Sequence, residues 1–168
     1  MPTPTYTLID SVTLASSAAS VTFSNIDQSF GDVILSMTVT NDAGSRPTRI
    51  AINGDTGYNY TRVEARGNGT TAASYSDTNA YVTFSGDRSF TSGVTGIIYQ
   101  FMDYSATNKH KSILARLNNT NASADPHVTM GAGRWASTAG IASLLIYPSS
   151  GNFIAGCTFH IYGIAKAL

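Results

Sequence analysis

Three histidines, one cysteine and ten acidic residues are the side chains of this 168-residue chain that could carry catalysis or bind a metal ion. His110, His127 and His160 lie far apart, and none has a histidine four residues away as a zinc-protease helix requires. Cys157 stands alone, which excludes an intrachain disulfide and a multi-cysteine zinc site. Glu64 is the only glutamate, and no pair of carboxylates is singled out as a glycosidase needs. We therefore expect no catalytic, cofactor-binding or metal-binding residues, and no enzymatic activity.

The segment Asn-Gly-Asp-Thr-Gly-Tyr-Asn at positions 53–59 has side-chain oxygens at alternate positions, in part like a calcium-binding loop. The bidentate acid that closes such a loop does not follow. An Asn-Gly pair between apolar segments is a strong signal for a tight turn, because both residues tolerate positive φ. We interpret the segment as a hairpin turn and keep calcium binding as the alternative.

Aromatic side chains are the remaining candidates for a binding surface. Trp135, the only tryptophan, is interpreted as a core residue, with sugar stacking or partner anchoring as the alternative. Four tyrosines flank or lie within the polar middle of the chain, a composition typical of recognition surfaces, although ordinary strand decoration explains them as well. These are Tyr58, Tyr60, Tyr75 and Tyr81.

Alternating apolar residues indicate the strands that position these side chains. Period-two alternation is the signature of a half-buried strand, and it begins at Tyr6 and Leu8 and recurs along the chain. Between Gly96 and Tyr104 apolar residues occupy both alternating sets, which predicts a strand covered on both sides. The other clear faces are Val33, Leu35, Met37 and Val39, then Ile113, Ala115 and Leu117. Roughly ten or eleven strands with turn signals between them predict an all-β, two-sheet antiparallel sandwich of the jelly-roll kind, in one domain over residues 1–168.

Three segments have their own predictions. Residues 144–147 and 158–164 flank a middle broken by proline and glycine, which predicts a C-terminal β-hairpin with a broad loop. Within that loop, Phe153 and Ile154 are expected to fold back over an edge of the core. The stretch from Gly67 to Asn79 is polar and has no periodic face, so it is expected to be a long exposed loop. Residues 1–5 contain two prolines and no strand pattern, and we expect them to reach a neighbouring subunit.

The composition and charge of the chain exclude some classes of binding partner. The formal net charge is zero and charged residues make up 12% of the chain, so no basic face for nucleic acid is indicated. No apolar run is long enough to cross a membrane, and the N-terminus has no signal-peptide pattern. Serine and threonine together number 41, which is typical of an all-β surface protein. We expect a protein made in a cytoplasm that contacts other proteins through its surface.

Three parts of the sequence resemble small virion proteins of tailed bacteriophages. The first is the opening TYTLIDSVTLASSAASVTFSNI at positions 5–26, and the second is the turn NGDTGYNY at positions 53–60. The third comprises Ser-Gly-Asn-Phe at 150–153, Ala-Gly at 155–156 and Tyr-Gly-Ile at 162–164 near the C-terminus. Positions 67–138 resemble nothing in particular. The resemblance implies a jelly-roll-like protein of the phage surface, located in the virion and commonly trimeric.

Two roles are compatible with that resemblance. A single domain without a fibre shaft or coiled-coil heptads suits a capsid decoration, or cement, protein that binds the major capsid protein and stabilises the capsid. The alternative is a receptor- or carbohydrate-binding module of a tail or head fibre, which would bind a host-surface glycan. A fibre tip should present aromatic rings in an open groove, whereas a cement protein should present an apolar patch. In either case we expect a homotrimer.

Overall fold

The computed structural model describes residues 4–84, 88–89, 93–119 and 128–166. Every regular element within these residues is a β-strand, which confirms the all-β prediction. In chain order the strands are β1 (Tyr6–Thr13), β2 (Val21–Ser24), β3 (Asp32–Val39), β4 (Arg46–Ile52), β5 (Tyr60–Gly67), β6 (Ala72–Asn79), β7 (Arg88–Ser89), β8 (Thr95–Met102), β9 (Lys111–Asn119), β10 (Val128–Trp135), β11 (Ser143–Pro148) and β12 (Thr158–Ile164).

The strands form two antiparallel sheets of unequal size. The larger has eight strands in the order β1-β12-β3-β8-β9-β10-β5-β6, and the smaller has four in the order β2-β11-β4-β7. The chain alternates between the sheets from β1 to β5 and again at β7, β8, β11 and β12, so most connections cross the sandwich. The predicted two-sheet antiparallel sandwich is confirmed, with its strands divided eight to four.

One apolar cluster between the sheets holds the sandwich together. The larger sheet contributes alternate residues of β3, β8 and β9, including all of the faces predicted from the sequence. The smaller sheet contributes Ile50, Ile52, Leu144 and Ile146, each fully buried. Because every second residue of these strands points inward, the sheets interdigitate along a single seam.

The predicted C-terminal hairpin is wrong. β11 pairs with β2 and β4 in the smaller sheet, whereas β12 pairs with β1 and β3 in the larger sheet. The segment between them crosses from one sheet to the other. The placement of Phe153 over a core edge is confirmed, because its ring is fully buried and lies edge-on to the ring of Phe159. The Phe153 backbone forms isolated β-bridges with Ala18 and Asn41. Alternation gives the inward face of a strand but not the sheet to which it belongs.

The predicted long loop from Gly67 to Asn79 is also wrong. Only residues 68–71 form a turn, in which the Asn68 side chain accepts hydrogen bonds from Thr70 and Thr71. Gly67 ends β5, and residues 72–79 form β6, which pairs with β5 along its whole length. Most residues of β6 are exposed on both faces, so the strand lacks the apolar alternation by which a sequence reveals a strand.

The first strand departs from simple alternation. A register shift between Leu8 and Asp10 inserts Ile9 as an extra residue in the pairing with β12. Tyr6 and Leu8 are consequently exposed, although both were expected on a half-buried strand face. Residues 1–3 and the polar stretch 120–127, which includes His127, lie outside the described residues.

Candidate functional site

The segment that resembles a calcium loop is a tight turn. Asn53 and Gly54 both have positive φ, 52° and 72°, and the Asp55 amide donates to the Ile52 carbonyl at 2.9 Å. This is the backbone of a turn that favours Asn-Gly at its centre. The tight-turn interpretation is confirmed, but the turn does not close a hairpin, because β4 and β5 belong to different sheets.

The Asp55 side chain accepts hydrogen bonds that stabilise this turn. Its carboxylate accepts hydrogen bonds from the Trp135 indole Nε1 at 2.7 Å, the Gly57 amide at 2.9 Å and the Asn59 side-chain amide at 3.1 Å. Partial burial opposes ionisation, but these donors outweigh it and hold the pKa of Asp55 below its ordinary value. Because N–H donors surround the carboxylate, the oxygens that a calcium ion would need are already engaged.

Two further side chains bind the turn to the rest of the sandwich. The Asn53 side-chain oxygen accepts from the amides of Ala142 and Ser143 at 2.8 Å and 3.0 Å, which joins the turn to the start of β11. Tyr60 is buried; its hydroxyl donates to the Asp55 carbonyl and accepts from the Ile52 amide. Burial raises the Tyr60 pKa above its ordinary value. Trp135 is thus a core residue, as expected, with its one polar atom bound to Asp55.

Of the three histidines, His110 and His160 lie within the described residues, as does Cys157. Within the described residues no three histidine, cysteine or acidic side chains are grouped so that they could hold a metal ion. Cys157 is buried and its thiol lies 3.2 Å from the Thr40 carbonyl, and burial raises the thiol pKa. His160 lies half-buried in β12 beside the ring of Tyr162, with 6.3 Å between ring centroids.

The larger sheet has an outer face that no described element covers, and this face is the candidate functional surface. We call it the outer face and define it by the residues of β3, β5, β8, β9, β10 and β12 that alternate with the core residues. Across four neighbouring strands it carries five large aliphatic side chains that are between 37% and 62% exposed. They are Val63, Ile98, Leu114, Val128 and Met130. The expectation that β8 is covered on both sides is therefore not met within a single chain.

Strand register shows that this apolar patch is continuous. Arg116 of β9 lies between Ile98 of β8 and Met130 of β10. In the adjacent row, Leu114 pairs with Ala132, which in turn pairs with Val63 of β5. Directly paired side chains on one face of a sheet lie about 5 Å apart at Cβ. The five aliphatic residues therefore form one patch, with Arg116 as the charge at its centre.

A shallow groove of about 530 Å³ lies on this patch. Its floor is open above Gly96, where an added Cβ would meet no atom within 4 Å. The lining residues on the outer face are Ser36, Thr38, Ile98, Arg116, Asn118, Val128 and Met130, and none of them is aromatic. The groove thus combines aliphatic walls with a single guanidinium group. The sequence indicated only one part of it, the second apolar face of β8 that carries Ile98. The other lining residues come from three further strands, which alternate as ordinary core strands do.

The candidate tyrosines do not form one surface. Tyr60 is buried, whereas Tyr58 is 78% exposed in the turn before β5. Tyr75 of β6 is covered in part by the Arg66 guanidinium, which lies 4.8 Å from the ring centroid. Tyr81 is covered in the same manner by Arg49 at 4.1 Å. Of the four, Tyr58 is the one that is free to contact a ligand as an exposed ring.

Comparison with known proteins adds no relative: no model of a protein family matches the chain, and neither does any curated protein. The described residues contain no helix that could span a membrane.

Proposed function

We propose that this chain is a structural protein of a bacteriophage virion, and specifically a capsid decoration protein that binds the capsid through the outer face. The observation that carries the proposal is the continuous aliphatic patch on that face. Contiguous exposed apolar patches are typical of surfaces that bind a protein, a membrane or a ligand. The β-sandwich fold agrees with the family resemblance of the sequence, and the proposed location is the virion surface.

The chemistry of the groove favours a protein partner over a glycan. Sugar rings are usually held by stacking on aromatic side chains, and the outer-face lining contains none. Aliphatic side chains around one arginine instead resemble the centre of a protein interface, where buried arginines often supply much of the binding energy. The proposed partners are the major capsid protein and, in a homotrimer, further copies of this chain.

A receptor- or carbohydrate-binding role in a fibre remains the second candidate, because Tyr58 presents an exposed ring on a glycine- and asparagine-rich turn. Tyrosine beside such residues is common in adaptable recognition surfaces. In this case the contact would be made at the end of the sandwich and not on the outer face.

One pair of variants separates the two roles. Met130→Asp replaces an aliphatic side chain of the patch by a carboxylate directly opposite Arg116, and Tyr58→Ala removes the exposed ring. Both side chains are exposed, so both variants should fold. We expect Met130→Asp to lower occupancy on purified particles at least tenfold and Tyr58→Ala to leave it unchanged. Loss of host adsorption in Tyr58→Ala, with full occupancy in Met130→Asp, would instead establish the receptor-binding role. Hundreds of copies per particle would agree with decoration, and a handful with a tail location.

A further inference from the structure

Within the part of the chain that the structure describes, β6 is an edge of the larger sheet, with its backbone hydrogen-bonded on one side. It pairs with β5 over all eight of its residues, and none of the described residues bonds to its other side. In an edge strand, alternate residues direct their N–H and C=O groups away from the sheet. These groups are a template on which a further strand can pair.

Natural edges are usually protected against such pairing, and β6 has little protection. Its register is regular, and it contains no proline, lysine or bulge. Its single charge, Asp77, is already bound by Arg62 at 2.7 Å and by the Asn79 side chain at 2.7 Å. The opposite edge, β1, differs, because a bulge interrupts it between Leu8 and Asp10. The two edges of one sheet therefore have different capacities for pairing.

We propose that β6 pairs antiparallel with β6 of a second copy of this chain, about a twofold axis perpendicular to the sheet. The side chains of the strand are mostly small, so a second strand can approach without steric conflict on either face. The zero net charge of the chain opposes such an approach only weakly. This contact uses neither the aliphatic patch nor Arg116, so it is independent of the proposed capsid binding. Because its axis is twofold, it joins two copies and is separate from the contacts of the proposed homotrimer.

The faces of β6 restrict the register of this pairing. Ser76 pairs with the exposed Val63, so Ser74 and Ser76 lie on the side of the outer face. Tyr75 and Asp77 alternate with them and lie on the inner side. Directly paired residues point to the same face, so even-numbered residues must oppose even-numbered residues. Asp77 opposite its own copy would place like charges together, which is destabilising.

Of the remaining registers, the one centred on Tyr75 keeps the two Asp77 carboxylates furthest apart while seven residues of each strand remain paired. It places Tyr75 opposite its own copy, and an aromatic cross-strand pair stabilises a sheet. It also places Ser74 of each copy opposite Ser76 of the other. This is the register that we assign.

Disulfide trapping tests the pairing and the register together. Opposed residues have Cα atoms about 4.5–5.5 Å apart, within the range of a disulfide. A tagged Ser74→Cys protein is mixed with an untagged Ser76→Cys protein and mildly oxidised. We expect a cross-linked heterodimer at least tenfold more abundant than the homodimer of either variant. Wild type, whose Cys157 is buried, and Ser11→Cys on β1 are the controls and should not cross-link.

Other outcomes contradict specific parts of the proposal. Efficient cross-linking of Ser76→Cys alone would show that the register centred on Tyr75 is wrong. Absence of cross-linking in every combination would show that β6 does not pair. Sedimentation gives an independent readout: Ser76→Lys should weaken self-association at least tenfold, whereas Thr7→Lys on β1 should not. Particle occupancy in Met130→Asp is measured separately, so failure of the edge contact and failure of capsid binding are distinguishable.

Discussion

Replacement of Asp55 by alanine should destabilise the protein by about 2–3 kcal/mol, because hydrogen bonds to a charged group are worth about 1.5–3 kcal/mol each and are not additive. Three donors lose their acceptor. The most costly loss is that of the Trp135 indole N–H, because Trp135 is 2% exposed and Asp55, at 2.7 Å from Nε1, is the acceptor that the described residues offer it. Since a loss of 1 kcal/mol shifts the melting temperature of a chain of this size by about 2–4 °C, we expect a fall of roughly 4–12 °C.

The same carboxylate should make stability depend on pH. The pKa of Asp55 is lower in the folded protein than its ordinary value, so its contribution is fully present above the ordinary value. It is lost as the pH falls through the lowered folded value. Urea unfolding at pH 7 and at progressively lower pH should show that Asp55→Ala loses the difference from wild type as acid is added. Asp10→Asn is the control, because among the described residues the Asp10 carboxylate accepts a hydrogen bond from the neighbouring Ser11 amide alone. A variant with wild-type stability at pH 7 would refute this account of the turn.

Two further predictions concern packing. Gly131→Ala should destabilise by about 1–3 kcal/mol, because an added Cβ would clash with the Phe84 ring, whereas Gly96→Ala on the outer face of β8 should change stability by less than about 0.5 kcal/mol. Chemical denaturation compares the two; equal effects would contradict the packing of Phe84. Phe153→Ala should cost about 3–5 kcal/mol, because the ring is fully buried against Phe159, and a smaller loss would mean that the loop does not close the core.

The inward faces of the strands could be predicted from the sequence because burial on one side of a sheet imposes a period of two. Thus Leu35 and Met37 were assigned to the core, as were Ile113 and Leu117, and all four are buried. Sheet membership could not be predicted, because a strand of either sheet shows the same alternation. That ambiguity produced the incorrect pairing of β11 with β12.

Only part of the candidate site could be predicted from the sequence. The turn at Asn53 and Gly54 has a local signal, since both residues adopt positive φ. The bond between Asp55 and Trp135 joins residues 80 positions apart, and no local pattern indicates it. β6 was missed because a polar edge strand has no buried face to mark it.

The second apolar set of β8 connects the sequence pattern with the proposed assembly. Ile98 lies on the side opposite Ile97 and Tyr99, and the sequence predicted that both sides would be covered. In the single chain the second side is open, which is expected if a partner covers it. Full burial of a large aliphatic side chain is worth about 1.5–3 kcal/mol, and the five patch residues are already partly buried, so covering them gains on the order of 5 kcal/mol. Association costs about 4–15 kcal/mol in lost freedom. The aliphatic patch alone would therefore support at most weak binding, and stable attachment requires a further contact, such as a charged partner for Arg116.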